Sequence, residues 1–170
     1  RKLNAALPQA LRDRVVSSEN LAIAWLETRS SLELEYYPRL AAMGHELIAT
    51  AFSNEVITPG KTTTEDVVWW LRQQSLDRGL DNWSHPTVTI QRAEGSKFNQ
   101  VPGGSSGGDQ NIIQPGDLIH VDFGITLLRL NTDQQQHAYI LKPGELDAPD
   151  SLKQALANAN RLQDILTGNF

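Results

Sequence analysis

The sequence predicts an α+β domain, with long helices packed on a small antiparallel sheet. Three observations lead there. Apolar residues recur at three-and-four spacing up to Gly79 and again beyond Pro149. Between them the pattern shifts to period two, beginning with the β-branched run Thr87-Val88-Thr89-Ile90. The links between these strands are short and rich in Pro and Gly, which suits hairpins rather than crossovers.

Leu3, Ala6, Leu7, Ala10 and Leu11 predict a short helix over Leu3–Arg14, interrupted by Pro8. Ser17 and Ser18 precede a second stripe, Leu21, Ala22, Trp25 and Leu26, in a helix over Glu19–Leu26. Ser30 and Glu33 have the spacing of a capping box, and Leu40, Met43, Leu47, Ile48 and Ala51 carry the third helix to about Asn54. Thr58-Pro59-Gly60 breaks the chain, and Thr62 with Glu65 offers a second box. Val67, Val68, Leu71 and Leu76 then predict a helix ended by Gly79 in a left-handed cap.

After the strand at Thr87, the Gly-, Ser- and Asn-rich stretch Gly95–Asn111 predicts a long loop, with Gly95–Asp109 the least ordered part of the chain. Strands are expected over Leu118–Ile125, Leu127–Leu130 and Gln134–Leu141, and Pro143-Gly144 ends the series. The last helix, Asp150–Thr167, aligns Leu152, Leu156, Ala159, Leu162, Ile165 and Leu166 on one face.

Composition narrows the function classes. The chain has 170 residues, 39% hydrophobic and 21% charged, enough for one core and too apolar for a disordered chain. A net charge of -5 with no basic cluster argues against nucleic acid as a partner. No apolar run approaches the roughly 20 residues that span a bilayer, so no membrane partner is expected. The expectation is a soluble protein, cytoplasmic, or periplasmic or secreted after loss of a leader. With no Cys, metal-ligand chemistry falls to His, Asp and Glu. No phosphate loop, serine elbow or dinucleotide fingerprint is present.

Asp122 ends an apolar strand immediately before Phe123-Gly124, and Asp133 stands eleven residues on, at the entrance to the next strand. Carboxylates on neighbouring antiparallel strands can converge on one point, where a cation relieves their repulsion. The same residues also suit backbone capping at turns. His120 shares the strand face of Asp122, while Gln135 and His137 share that of Asp133. These three fit either supporting partners of a metal or a hydrogen-bonded packing role. His85 and Trp83 are candidates for a substrate pocket, whereas Trp69 is expected in the core.

The run Ile113-Gln114-Pro115-Gly116-Asp117-Leu118-Ile119-His120-Val121-Asp122-Phe123-Gly124, followed by Asn131-Thr132-Asp133, resembles the pita-bread metallopeptidases: methionine and Xaa-Pro aminopeptidases, prolidases and creatinase-like proteins. The resemblance continues upstream through Val56–Glu65 and downstream through Tyr139–Glu145. It implies that Asp122 and Asp133 are metal ligands in a site for two divalent ions, Mn, Co or Zn. It also implies an aminopeptidase acting on peptides with Pro in the second position. No catalytic residue is assigned. Residues 1–28 would be the tail and linking arm of an N-terminal domain, and residues 29–170 the N-terminal half of the catalytic domain. The family's further ligands, a His and two Glu, find no matching segment, and Gln134-Gln135-Gln136 replaces the usual x-Thr-Arg after the second Asp. A half-sheet with an open edge and an apolar helix face predicts a homodimer. Two other classes remain: a catalytically inactive binding module on the same scaffold, and a helical partner-binding protein.

Overall fold

A computed structural model describes residues 6–94, 97–101 and 111–169. By internal contacts the chain divides between Tyr36 and Tyr37 into two units. The first holds helices α1 (Gln9–Arg12) and α2 (Glu19–Glu27) and the opening of α3 (Ser31–Ala51). Pro8 is the N-cap of α1, so the expected Leu3–Arg14 helix is interrupted where the Pro ring requires it. On α2, Leu21 and Trp25 are both 75% exposed. Helix α3 starts as its sequence dictates: Ser30 N–H donates to Glu33 Oε2 at 2.7 Å, and Glu33 N–H donates to Ser30 Oγ at 3.2 Å. The Ser30 N–H, joined by the Ser30 hydroxyl donating to the same oxygen at 2.8 Å, holds the Glu33 carboxyl below its ordinary range.

The second unit contains the rest of α3, helices α4 (Thr64–Asp77) and α5 (Asp150–Thr167), and seven described strands. The capping box of α4 is one residue later than expected, on Thr63 and Asp66. Thr62 is occupied elsewhere: its hydroxyl accepts the Thr58 N–H at 2.9 Å and closes the preceding turn. At its C-terminus α4 ends in a Schellman motif, with Leu80 N–H donating to Ser75 O and Gly79 N–H to Leu76 O, around Gly79 at φ +68°.

Strands β2 (Thr87–Glu94), β3 (Lys97–Val101), β4 (Leu118–Phe123) and β7 (Gln134–Tyr139) form an antiparallel sheet in the order β3-β2-β4-β7. A smaller sheet joins β1 (Asp81–Asn82), β5 (Ile125–Leu127) and β6 (Leu130–Asn131) in the order β1-β5-β6. Strand β3 corrects the expectation of a continuous loop from Gly95, because Lys97–Val101 pairs back on Ile90–Glu94. Residues 95–96 and 102–110 of that stretch lie outside the described residues, and with them the expectation about its order.

Alternation places the core on one face of the sheet. Val88 and Ile90 of β2 and Ile119, Val121 and Phe123 of β4 are buried with Leu47, Ile48, Val67, Val68 and Leu71 of the helices. Gln134 closes this layer by donating from Nε2 to Ala41 O of α3 at 2.8 Å. Gly44 makes that approach possible, since a Cβ there would lie 1.8 Å from Gln134 Oε1. Trp69 is not in the core: it is 55% exposed beneath the Arg72 guanidinium, which sits 4.9 Å from a ring centroid. Its neighbour Trp70 packs on the core instead.

Among the described residues, three Pro-Gly turns punctuate the unit, each closed by a backbone bond from the fourth residue to the first: Lys61 to Thr58, Asp117 to Gln114, and Glu145 to Lys142. The glycines have φ of +81°, +93° and +87°, the left-handed position a type II turn demands. In each, a side-chain oxygen also accepts the N–H of the residue before Pro, from Thr62, Asp117 and Glu145 in turn.

The segments β4-β5 and β6-β7 form one long hairpin. Leu118↔Tyr139 through Phe123↔Gln134 keep the same register as Thr126↔Asn131 and Leu127↔Leu130, and Thr132 N–H donates to Ile125 O between them. The expected strand Leu127–Leu130 is therefore the hairpin tip. Leu128 (φ +52°) and Arg129 (φ +67°) are its two central residues, in the conformation of a primed turn usually given to Asn-Gly.

Asp117 is 1% exposed and is held by Arg92, whose Nε and Nη2 donate to its two oxygens at 2.8 Å each. Nη2 also donates to Ile112 O at 2.9 Å. The Asp117 carboxylate, chiefly through these bonds, holds the guanidinium above its ordinary pKa. Asp117→Asn should lower the unfolding free energy by about 2–3 kcal/mol in urea titration, less than a fully buried pair because 34% of the Arg92 side chain stays solvated. At the tip, Leu128→Asn with Arg129→Gly should raise stability by about 1 kcal/mol by removing two left-handed non-Gly residues.

Candidate functional site

The face of the sheet opposite the core carries the residues singled out by sequence. Leu118, His120 and Asp122 of β4 stand opposite Tyr139, His137 and Gln135 of β7. Pairing in this hairpin alternates. Ile125 and Thr132 are hydrogen-bonded partners, and at the far end Ile140 N–H donates to Asp117 O. Counting from either end, His120↔His137 and Asp122↔Gln135 are non-hydrogen-bonded pairs, whose side chains approach most closely.

Gly124 and Asp133 occupy the next opposed positions, between Phe123↔Gln134 and the Thr132–Ile125 bond. Asp133 is thus the diagonal neighbour of Asp122 in register. The same diagonal step carries His120 to Gln135, where His120 Nε2 meets Gln135 Oε1 at 3.1 Å. Asp122 is half-buried and Asp133 exposed. Neither carboxylate makes a hydrogen bond or ion pair with a described residue, in contrast to that of Asp117, whose two oxygens are both engaged.

His120 and His137 have ring centroids 4.7 Å apart at 48°. Partial burial pulls the His137 pKa below its ordinary value, and the adjacent His120 adds to this. His120 thus meets both Gln135 and His137, and none of the three bonds either carboxylate. Beside His137, a groove of about 340 Å³ runs between the sheet and α5, lined by Leu118, Tyr139, Leu152 and Leu156 among others.

Trp83 and His85 have separate partners. Trp83 packs on Gly124: a Cβ there would lie 1.7 Å from the indole Nε1 and 2.2 Å from Thr132 O. The indole therefore abuts the junction between Asp122 and Asp133, with 47% of the residue exposed. His85 instead meets Arg72, its Nδ1 2.8 Å from Nη1, and sets its ring edge-on to Trp69. Sequence reasoning does not bring Trp83 to Gly124. It missed Arg92 and Asp117, which hold the strand that bears Asp122. Among the described residues, no group of three or more His, Cys, Asp or Glu is arranged to hold a metal ion. No described helix is long and apolar enough to cross a membrane.

No family model matches this sequence, and no curated protein matches it. Among solved structures, the X-Pro aminopeptidase from Thermotoga maritima MSB8 is similar, with a TM-score of 0.54 and 16% sequence identity. The alignment covers 74% of this chain and 32% of that protein, so the chain spans well under half of its neighbour's length. The likeness is one of fold: helices on an antiparallel sheet, arranged as in part of an aminopeptidase of the pita-bread type.

Gly124→Ala should expel the Trp83 indole and cost about 2 kcal/mol or more, by the mechanism of an overpacked site. Tryptophan fluorescence should shift to the red. Trp83→Ala on that background should restore only part of the loss, because Thr132 O still opposes the new Cβ.

Proposed function

We propose that this chain carries the first ligand pair of a metal-dependent aminopeptidase of the X-Pro type, whose complete form removes an N-terminal residue from peptides with Pro in second place. The observation that supports this reading is the diagonal register of Asp122 and Asp133, with both carboxylates uncommitted to any described residue. The fold likeness to an X-Pro aminopeptidase supports it independently. Oxygen donors suit Mn2+ and tolerate borderline ions, and Mn, Co or Zn would be held by Asp122 and Asp133 as part of a larger ligand set. Such ions supply carbonyl polarisation and activation of water for hydrolysis.

This chain's own residues would position rather than react. In support, Asp122 and Asp133 are diagonal neighbours in register, Trp83 packs against the intervening Gly124, and the groove beside His137 offers apolar surface to a peptide. The edge position of β7 among the described strands and the exposed Leu162, Ile165 and Leu166 of α5 support self-association, which sedimentation equilibrium would read as a dimer.

A second reading, an inactive binding module on the same scaffold, is favoured by one observation: the described residues contain no three-ligand cluster. Mn2+ binding separates the two. Asp122→Asn and Asp133→Asn should each weaken Mn2+ by at least about tenfold, and the complete enzyme should lose X-Pro peptide hydrolysis with either change. Absence of Mn2+ binding and of hydrolysis in the unaltered protein would favour the binding module.

A further inference from the structure

We propose that His120 and His137 form a two-imidazole chelating site for a borderline transition-metal ion, Ni2+, Cu2+ or Zn2+, separate from the oxygen pair at Asp122 and Asp133. The two residues are direct partners in the β4–β7 register, at a non-hydrogen-bonded position where Cβ atoms of opposed residues lie about 4.5–5.5 Å apart. Their rings stand 4.7 Å centroid to centroid, tilted at 48° rather than stacked flat, so two ring nitrogens can address one ion between or above them. Both belong to the outer face of the sheet, where His137 is exposed and His120 half-buried.

One further contact prepares the pair. Gln135 Oε1 lies 3.1 Å from His120 Nε2, and a carbonyl oxygen only accepts, so Nε2 carries the proton of that bond. This selects the tautomer in which Nδ1 keeps its lone pair, the arrangement in which an outer hydrogen bond orients a ligating imidazole. The ring of His137 has no such tether among the described residues and can turn to complete the chelate.

The chemistry of the donors sets the selectivity. Two neutral imidazoles with water in the remaining positions favour Cu2+ and Ni2+ over Mn2+ and Mg2+, following the stability order of divalent ions with nitrogen ligands. Carboxylates such as those of Asp122 and Asp133 discriminate less steeply and accept Mn2+, which two imidazoles hold only weakly. The two sites are therefore distinguishable by ion as well as by residue. Because only two protein ligands contribute, the site is an exchangeable chelate rather than a closed structural centre.

The test is calorimetric titration of the unaltered chain with Ni2+ and separately with Mn2+, repeated on His120→Gln, His137→Gln, His45→Gln and the double variant Asp122→Asn with Asp133→Asn. The expected result is one Ni2+ equivalent whose affinity falls at least tenfold in His120→Gln and in His137→Gln, and is kept in His45→Gln and in the double Asn variant. Imidazole nitrogen shifts in a two-dimensional NMR spectrum of the unaltered chain should move for His120 and His137 together on adding Zn2+, a readout that needs no substitution. Ni2+ affinity unchanged in either His variant would overturn the proposal. So would loss of Ni2+ in the double Asn variant, which would assign the ion to the carboxylates. Failure of Mn2+ alone would count against the aminopeptidase reading and leave the histidine site standing.

Discussion

Asp117 holds a carboxylate at 1% exposure, and an uncompensated charge there would cost several kcal/mol. Arg92 answers it from β2 with two parallel donors, and the Gln114 N–H adds a third from the Pro115-Gly116 turn. The main chain of the same residue accepts the Ile140 N–H at the end of β7. One residue therefore ties together β2, the entry to β4 and the exit of β7. An apolar side chain could fill that volume, but it could not hold three segments at fixed relative positions. Arg suits the task better than Lys, because its fork meets both carboxylate oxygens while Nη2 also reaches Ile112 O.

That anchor sets the register of the hairpin. With Asp117 and Ile140 bonded at one end and Leu128-Arg129 turning at the other, there is no slack for a one-residue slip. A slip would send Ile119, Val121 and Phe123 to solvent and bring His120 and Asp122 into the core. The polar face is thus specified by the burial of the apolar one. His120 opposite His137, Asp122 opposite Gln135, and Asp133 on the diagonal of Asp122 are consequences of the same alternation. The glycine between the two sheets has a matching origin: the chain between Asp122 and Asp133 crosses under Trp83, and only hydrogen leaves room for the indole.

The local code was legible where a bond joins residues close in sequence. The Ser30–Glu33 box, the Gly79 cap and the final helix from Asp150 to Thr167 needed only near neighbours. The second box slipped to Thr63 and Asp66 because Thr62 serves the turn before it, and two hydroxyls in a row compete for one role. Leu127–Leu130 read as strand because Leu128 and Arg129 carry no turn signal, and only the pairing on either side imposes their positive φ. Strand β3 hid within a Gly- and Ser-rich stretch, where its pairing with β2, and not its composition, defines it. At the site, the two Asp and their shared face could be anticipated from period-two alternation. The opposition of His120 and His137, the Trp83–Gly124 contact and the Arg92–Asp117 pair could not, since each joins residues far apart in the chain.

Both metal-site readings require that the hairpin keep one register from Asp117 to the tip and back, so that Asp133 opposes Gly124 and lies diagonal to Asp122. Opposed α-protons in non-hydrogen-bonded pairs approach closely enough to give strong cross-relaxation, whereas hydrogen-bonded pairs hold them apart. Strong Hα–Hα cross-peaks are therefore expected in an NMR spectrum between His120 and His137, Asp122 and Gln135, and Gly124 and Asp133. Cross-peaks displaced by one residue, or a Gly124 signal paired with any residue other than Asp133, would contradict that register.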